Sequence, residues 1–194
     1  FDDMLVFTYE LLSQRQDILD MWRNRFQYIL IDEFQDINTI QYDTVKLLAK
    51  ERNNIFAVGD DDQSIYGFRG AAPAIMKRFP KDFPGTKIEY LNMNYRCSYD
   101  VVECSKRIIK NNTDRYDKNL QSAFAPGESD RVHIVKVKDG TEQNRKIVDK
   151  IRELNSAGIP YSDIAVIFRT NTEPRALSSK LMENGIPFSS TICT

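Results

Sequence analysis

Three stretches place residues capable of chemistry directly beside apolar runs. In the first, Ile29-Leu30-Ile31-Asp32-Glu33-Phe34-Gln35-Asp36, a short β-rich run stops at adjacent acids. One acid of such a pair can hold Mg2+, a hard ion that takes oxygen ligands and keeps several waters. Its neighbour can orient or deprotonate a water for attack on phosphorus. Read alone, the pair also fits a solvated acidic loop after a strand. The second stretch is Val58-Gly59-Asp60-Asp61-Asp62-Gln63-Ser64-Ile65-Tyr66-Gly67-Phe68-Arg69-Gly70-Ala71. Gln63 is an uncharged donor and acceptor suited to sensing a terminal phosphate. Tyr66 and Phe68 with Arg69 supply ring faces and a cation, which hold unstacked bases without reading their sequence. Gly67 and Gly70 let the backbone turn tightly. The alternative is that both rings are core aromatics beneath a loop. In the third stretch, Asn94-Tyr95-Arg96, the Arg can neutralise charge on a transferred phosphoryl group and the Tyr offers a face to a purine. An Arg that merely caps a domain interface reads the same way.

These stretches need elements to position them, and the chain alternates strand and helix in the rhythm of a parallel α/β sheet. Ligands in such sheets lie at the carboxyl ends of the strands. Leu5, Tyr9 and Leu12 share one face of an opening helix. A buried parallel strand over Tyr28–Ile31 comes next, then a helix from Thr39 to Lys50 capped by Asn38 or Thr39, with Ile40, Leu47 and Leu48 inward. Strands are expected at 54–58 and 87–91, separated by a short helix begun by Pro73. A helix from Ser98 carries Val101, Val102, Cys104, Ile108 and Ile109, and the polar stretch 113–130 reads as a loop or surface connection. Beyond it, strands at 132–137, 164–168 and 186–189 alternate with helices at 141–155 and 174–184. Gly158 and Gly185 each precede Ile-Pro, which predicts a left-handed residue just past each helix. The boundary between two α/β units is expected near Asn92–Asn94.

Composition narrows the function classes without choosing one. The 194 residues carry 27 Lys+Arg against 28 Asp+Glu, so no global field draws the chain to a polyanion, and local Arg and rings would have to hold one. No apolar run approaches the ~20 residues of a membrane span. Three cysteines, Cys97, Cys104 and Cys193, do not make a disulfide framework or a zinc site, and they fit a reducing compartment. His133 has no Cys/His cluster around it to make a metal site. Trp22, among Met21, Phe26 and Tyr28, reads as core, and the basic residues of 146–152 read as the solvated side of a helix.

Together the three stretches resemble the superfamily 1 DNA helicases of the UvrD/PcrA/Rep type. Asp32-Glu33-Phe34-Gln35-Asp36 is similar to that family's Walker B motif. Residues 59–71 resemble the motif that couples ATP to single-stranded DNA, and Leu91-Asn92-Met93-Asn94-Tyr95-Arg96 resembles the motif joining its two RecA-like domains. Phe1-Asp2-Asp3-Met4-Leu5 resembles a segment upstream of Walker B. Order and spacing agree over essentially the whole chain. The resemblance implies P-loop-type, RecA-like parallel sheets flanked by helices: the end of a first domain at 1–93 and the start of a second at 94–194. It implies that Asp32 binds Mg2+, Glu33 activates the hydrolytic water and Gln63 meets the γ-phosphate or that water. Tyr95 would stack on adenine, Arg96 would meet the γ-phosphate, and Phe68, with Arg69 and Tyr66 beside it, would stack on DNA. Phe68 stands where the family usually has Trp, Ile37 where Thr is common and Cys97 where Ser is common.

The implied cofactors are ATP and Mg2+, the implied partners single-stranded and partially duplex DNA with no membrane, and the implied place the bacterial cytosol. The implied activity is 3′→5′ translocation and unwinding in DNA repair or replication. No Gly in the chain is followed by Lys, so the phosphate-cradling G-x-x-x-x-G-K-[ST] loop is not among these residues. The chain is therefore expected to be a central piece of a helicase, with Walker A upstream and the last motifs downstream. By itself it is expected to bind nucleotide weakly or not at all, to lack ATPase activity and to self-associate through an exposed sheet edge. Two rivals remain at this point: the motor segment of an AddA/RecB-type helicase–nuclease, and a non-catalytic helicase-like module. Intact Asp32, Glu33, Gln63 and Arg96 weigh against the second.

Overall fold

A computed structural model describes residues 2–49, 52–72, 74–127, 132–170 and 172–190. Phe1, Lys50, Pro73 and Cys193, and the side chain of Arg69, lie outside the described set. The chain forms two compact units, Phe1–Val132 and His133–Thr194.

The first unit opens with α1 (Asp2–Gln14), whose first-turn Asp2 and Asp3 complement the helix dipole and whose Leu12 is buried. A second helix that the sequence reading did not anticipate, α2 (Gln16–Arg25), follows directly, with Arg15 forking onto Asp17 at 2.9 and 2.7 Å. Trp22 is only half-buried on α2, stacked on an exposed Phe26 at 5.3 Å, so the expectation of a core Trp is corrected. The element that does seat α2 is Arg23, buried with its Nε donating to the Leu47 carbonyl at 2.9 Å.

Strand β1 (Ile29–Ile31) pairs in parallel with β2 (Ile55–Ala57), Leu30 opposite Phe56. Between them lies α3 (Thr39–Ala49). Its start is a reciprocal cap: Asn38 Oδ1 accepts the Gln41 N–H and Gln41 Oε1 accepts the Asn38 N–H, both at 2.9 Å. Ile29, Ile31, Ile55 and Ala57 pack against a core of Phe34, Tyr42, Ala49, Ile75, Phe79 and Phe83, the last residues coming from and after α4 (Ala74–Asp82). The fully buried Tyr42 keeps its hydroxyl satisfied by donating to Asp82 at 3.0 Å. The other face of the pair is open, with Leu30 75% and Phe56 62% exposed, so these strands are not buried on both faces as expected.

The expected strand at 87–91 joins no ladder. Parallel pairing appears just beyond it instead, between β3 (Met93–Asn94) and β4 (Gln121–Ser122), with α5 (Tyr99–Ile109) connecting them. The segment 113–122 is accordingly not a simple surface connection. Cys97 and Cys104 are unpaired.

The second unit packs α6 (Gly140–Ser156) on α7 (Pro174–Glu183) through Val148, Ile151, Leu177, Leu181 and Ile186. Asp139 caps α6, accepting the Glu142 N–H at 2.8 Å, and Pro174 opens α7. Both helices end as expected in a left-handed glycine, Gly158 (φ +95°) and Gly185 (φ +66°), and the next Ile N–H returns to Leu154 or Leu181. The strands expected at 132–137, 164–168 and 186–189 do not form among the described residues. β-propensity fits a residue to a pleated surface but supplies no partner, and Ile134 and Ile167 stand 97% and 92% exposed. No helix of the described residues is long and apolar enough to cross a membrane.

Candidate functional site

The acids Asp32 and Glu33 emerge at the carboxyl end of β1, and residues 58–60 leave the carboxyl end of β2 beside them. The Phe34 N–H donates to the Val58 carbonyl and the Val58 N–H to the Ile31 carbonyl, at 2.9 and 2.8 Å. Both acids are exposed. Glu33 adopts a left-handed backbone (φ +50°, ψ +44°), a conformation unfavourable for a residue with a long side chain, by about 1–2 kcal/mol. Its N–H is held by Asp32 Oδ1 at 2.9 Å.

Gln35, which the sequence reading passed over, joins the two strand tips. It is buried at 2% exposure; its Nε2 donates to Glu33 Oε2 at 2.7 Å and its Oε1 accepts the Asp60 N–H at 2.9 Å. Asp60 in turn accepts from Gln63 Nε2 at 2.8 Å through Oδ2 and from its own turn's Asp62 N–H at 3.1 Å through Oδ1. An unbroken series of hydrogen bonds therefore runs from Glu33 through Gln35 and Asp60 to Gln63. Gly59 makes it possible: a Cβ there would sit 2.8 Å from Gln35 Oε1 and 3.1 Å from the Phe34 nitrogen.

The carboxylates of Asp60, Asp61 and Asp62 converge closely enough to hold a cation. The cation present is Lys118, whose ammonium bonds Asp60 and Asp61 and lies 2.9 Å from Asp62 Oδ2. Arg115 forks onto Asp62 at 2.7 and 2.6 Å, and the Tyr116 N–H donates to Asp61 at 2.6 Å. For Asp60, burial pushes the carboxyl upward, but hydrogen bonds from Lys118 and Gln63 outweigh it and leave it below its ordinary value. The Arg115 fork lowers Asp62. Lys118, pushed down by burial and up more strongly by its three aspartates, ends above its ordinary value.

Beyond the triad, Tyr66 and Phe68 bring their rings to 5.8 Å of one another on a turn closed by Gly70 (φ +81°). Phe68 is 78% exposed, so the reading of it as a core aromatic is set aside. A bridge from Asn38 to Ala71 returns this loop to the start of α3. Tyr66, Asp36, Asn38 and Gln41 share a shallow cleft where Asp36 Oδ1 is buried without a partner among the described residues.

Tyr95 and Arg96 follow β3, both exposed, on a turn in which Asn94 Oδ1 accepts the Arg96 and Cys97 N–H groups at 2.9 and 2.7 Å. Hydrogen bonds join Glu33 with Gln63 through Gln35 and Asp60, and none ties the Arg96 side chain to Asp32, Glu33 or Gln63 among the described residues.

Residues 1–84 match the UvrD/REP helicase N-terminal domain and residues 89–191 the UvrD-like helicase C-terminal domain. The chain belongs to the UvrD-like helicase family. Within that family it is 41% identical over 191 residues to the putative ATP-dependent DNA helicase YjcD of Bacillus subtilis strain 168, covering 97% of this chain and 24% of that protein. It is 36% identical over 188 residues to the ATP-dependent DNA helicase PcrA of Staphylococcus aureus, covering 97% of this chain and 26% of that protein. The PcrA of Staphylococcus epidermidis stands at the same identity and coverage. The chain thus spans about a quarter of the length of these curated relatives. The donors at the β1 tip, the exposed carboxylates of Asp32 and Glu33, are oxygens of the kind a hard divalent ion such as Mg2+ takes.

Proposed function

We propose that this chain is the segment of an ATP-dependent DNA helicase that couples Mg-ATP hydrolysis to 3′→5′ movement on single-stranded DNA and to duplex unwinding, in DNA repair or replication in the bacterial cytosol. It contributes the end of one RecA-like domain (1–93) and the start of a second (94–194). The observation that carries this reading is the series Glu33–Gln35–Asp60–Gln63, which links an exposed acid at one strand tip to the loop bearing exposed Phe68. Asp32 holds the metal ion, which neutralises phosphate charge when bound. Glu33 takes the proton of the attacking water. Gln63 meets the terminal phosphate or that water, and a change in its position passes through residues 64–68 to the DNA. Tyr95 stacks on the adenine, Arg96 meets the γ-phosphate, and Phe68, Tyr66 and Arg69 line the DNA path.

The test is Glu33→Gln in the full-length protein. Removing the base while keeping size and hydrogen bonding is expected to lower DNA-stimulated ATP turnover by about 10²-fold or more, with ATP still bound. Unchanged turnover overturns the assignment. The 194-residue chain alone is expected to show no ATPase activity. It is also expected to self-associate through the exposed edge of the β1–β2 pair, whose Leu30 and Phe56 stand open. A monomeric sedimentation profile at high concentration counts against that self-association.

A further inference from the structure

The segment from Asp114 to Lys118 is strapped between α4 and the Asp60–Gln63 loop. On one side Asp114 pairs with Lys77 and the Tyr116 hydroxyl donates to the Met76 carbonyl at 2.9 Å. On the other, Arg115, the Tyr116 N–H and Lys118 take hold of all three aspartates. The Lys118 side chain is 18% exposed and that of Asp61 8%, so bulk water screens this cluster poorly. Three adjacent carboxylates repel one another at such exposure, and a loop carrying them stays closed only if compensated. The same Asp60 that binds Lys118 through Oδ1 binds Gln63 Nε2 through Oδ2 and, by its N–H, Gln35. Releasing Lys118 therefore leaves Asp60, the group that orients Gln63, beside two carboxylates that Lys118 no longer neutralises.

We infer that Lys118 and Arg115 are positioning residues for the hydrolytic step: by neutralising the Asp60–Asp62 triad they hold Gln63 in register with Glu33, without touching nucleotide themselves. This rests on the helicase reading above. Lys118 acts as a point charge shared by three acids, and Arg115 as a planar fork fixed on one. The segment that holds the phosphate-sensing loop runs directly into β4, which pairs with β3.

The experiment measures ATP KM and kcat at saturating single-stranded DNA for the full-length protein and its variants. Lys118→Met is expected to lower kcat by about tenfold or more with ATP KM within about twofold, the cost of a misplaced catalytic group. Lys118→Arg, which keeps the charge, is expected to retain at least about half of wild-type kcat. A structural role alone would give neither the kcat-only loss nor the rescue by charge. If Lys118→Met does not fold, Arg115→Gln replaces it, with an expected loss in kcat of about threefold or more and little change in KM. Wild-type kcat in the folded variants, a loss confined to KM, or no recovery with Arg overturns the inference. Glu33→Gln in the same series separates the two readings. If it abolishes turnover while Lys118→Met does not, only the positioning role fails; if it too leaves turnover intact, the helicase chemistry assigned to this site fails.

Discussion

The buried side chain of Gln35 accepts the backbone N–H of Asp60 at 2.9 Å, tying the loop after β2 to the acids after β1. A single amide thus spans both strand tips, because its other end donates to Glu33.

Gln35→Leu removes both bonds while keeping volume. Leaving the Asp60 N–H without its acceptor is expected to cost about 1–3 kcal/mol of stability. It also uncouples Glu33 from the Gln63 loop. Thermal unfolding of the full-length protein should show a lowered midpoint, and DNA stimulation of its ATPase should fall more than unstimulated turnover does.

Gly59→Ala forces a methyl to within 2.8 Å of Gln35 Oε1 and 3.1 Å of the Phe34 nitrogen. Because Gln35 is pinned at both ends, the clash is expected to cost about 1–3 kcal/mol by overpacking. Chemical denaturation reads this, and Gly67→Ala, where a Cβ meets nothing within 4 Å, is the matched control.

Phe68 is 78% exposed, so its removal should hardly affect folding. Phe68→Ala is expected to weaken binding of a single-stranded oligonucleotide by about 1–3 kcal/mol, the worth of one base–aromatic stack. Phe68→Trp should strengthen it. Fluorescence anisotropy with labelled oligothymidine decides this, alongside an unchanged unfolding midpoint.

The triad predicts an acid limb and an alkaline limb of stability. Asp60 and Asp62 sit below their ordinary value of 3.8 in the folded protein. Their contribution is therefore present above that value and is lost as pH falls through the lower folded ones. Lys118 sits above its ordinary 10.5, so its contribution is present below 10.5 and lost as pH rises through its folded value. Between about pH 4 and 10 this cluster should be indifferent to pH. Denaturation midpoints of wild type and Lys118→Met should converge on both sides of that window.

How much of this was legible in the sequence follows from how far each interaction reaches along the chain. The acids after β1, a cap at the start of α3 and the glycines ending α6 and α7 depend on neighbours within a few residues, so residue type and spacing determined them; that the Phe68 ring is exposed rather than core, and that Gln41 completes the cap, came from the structure. Parallel pairing of β1 with β2 was also readable, because two apolar runs flanking a helix have few other ways to bury a face. Tertiary structure alone decided the rest. Gln35 meets Asp60 across 25 residues and Lys118 meets it across 58, and a polar loop bears no local mark of the charge it will neutralise. The runs at 87–91, 132–137 and 164–168 looked like strands because Val, Ile and Tyr favour pleated surfaces. A strand exists only when another backbone completes its hydrogen bonds, and side-chain pattern does not say whether one will arrive.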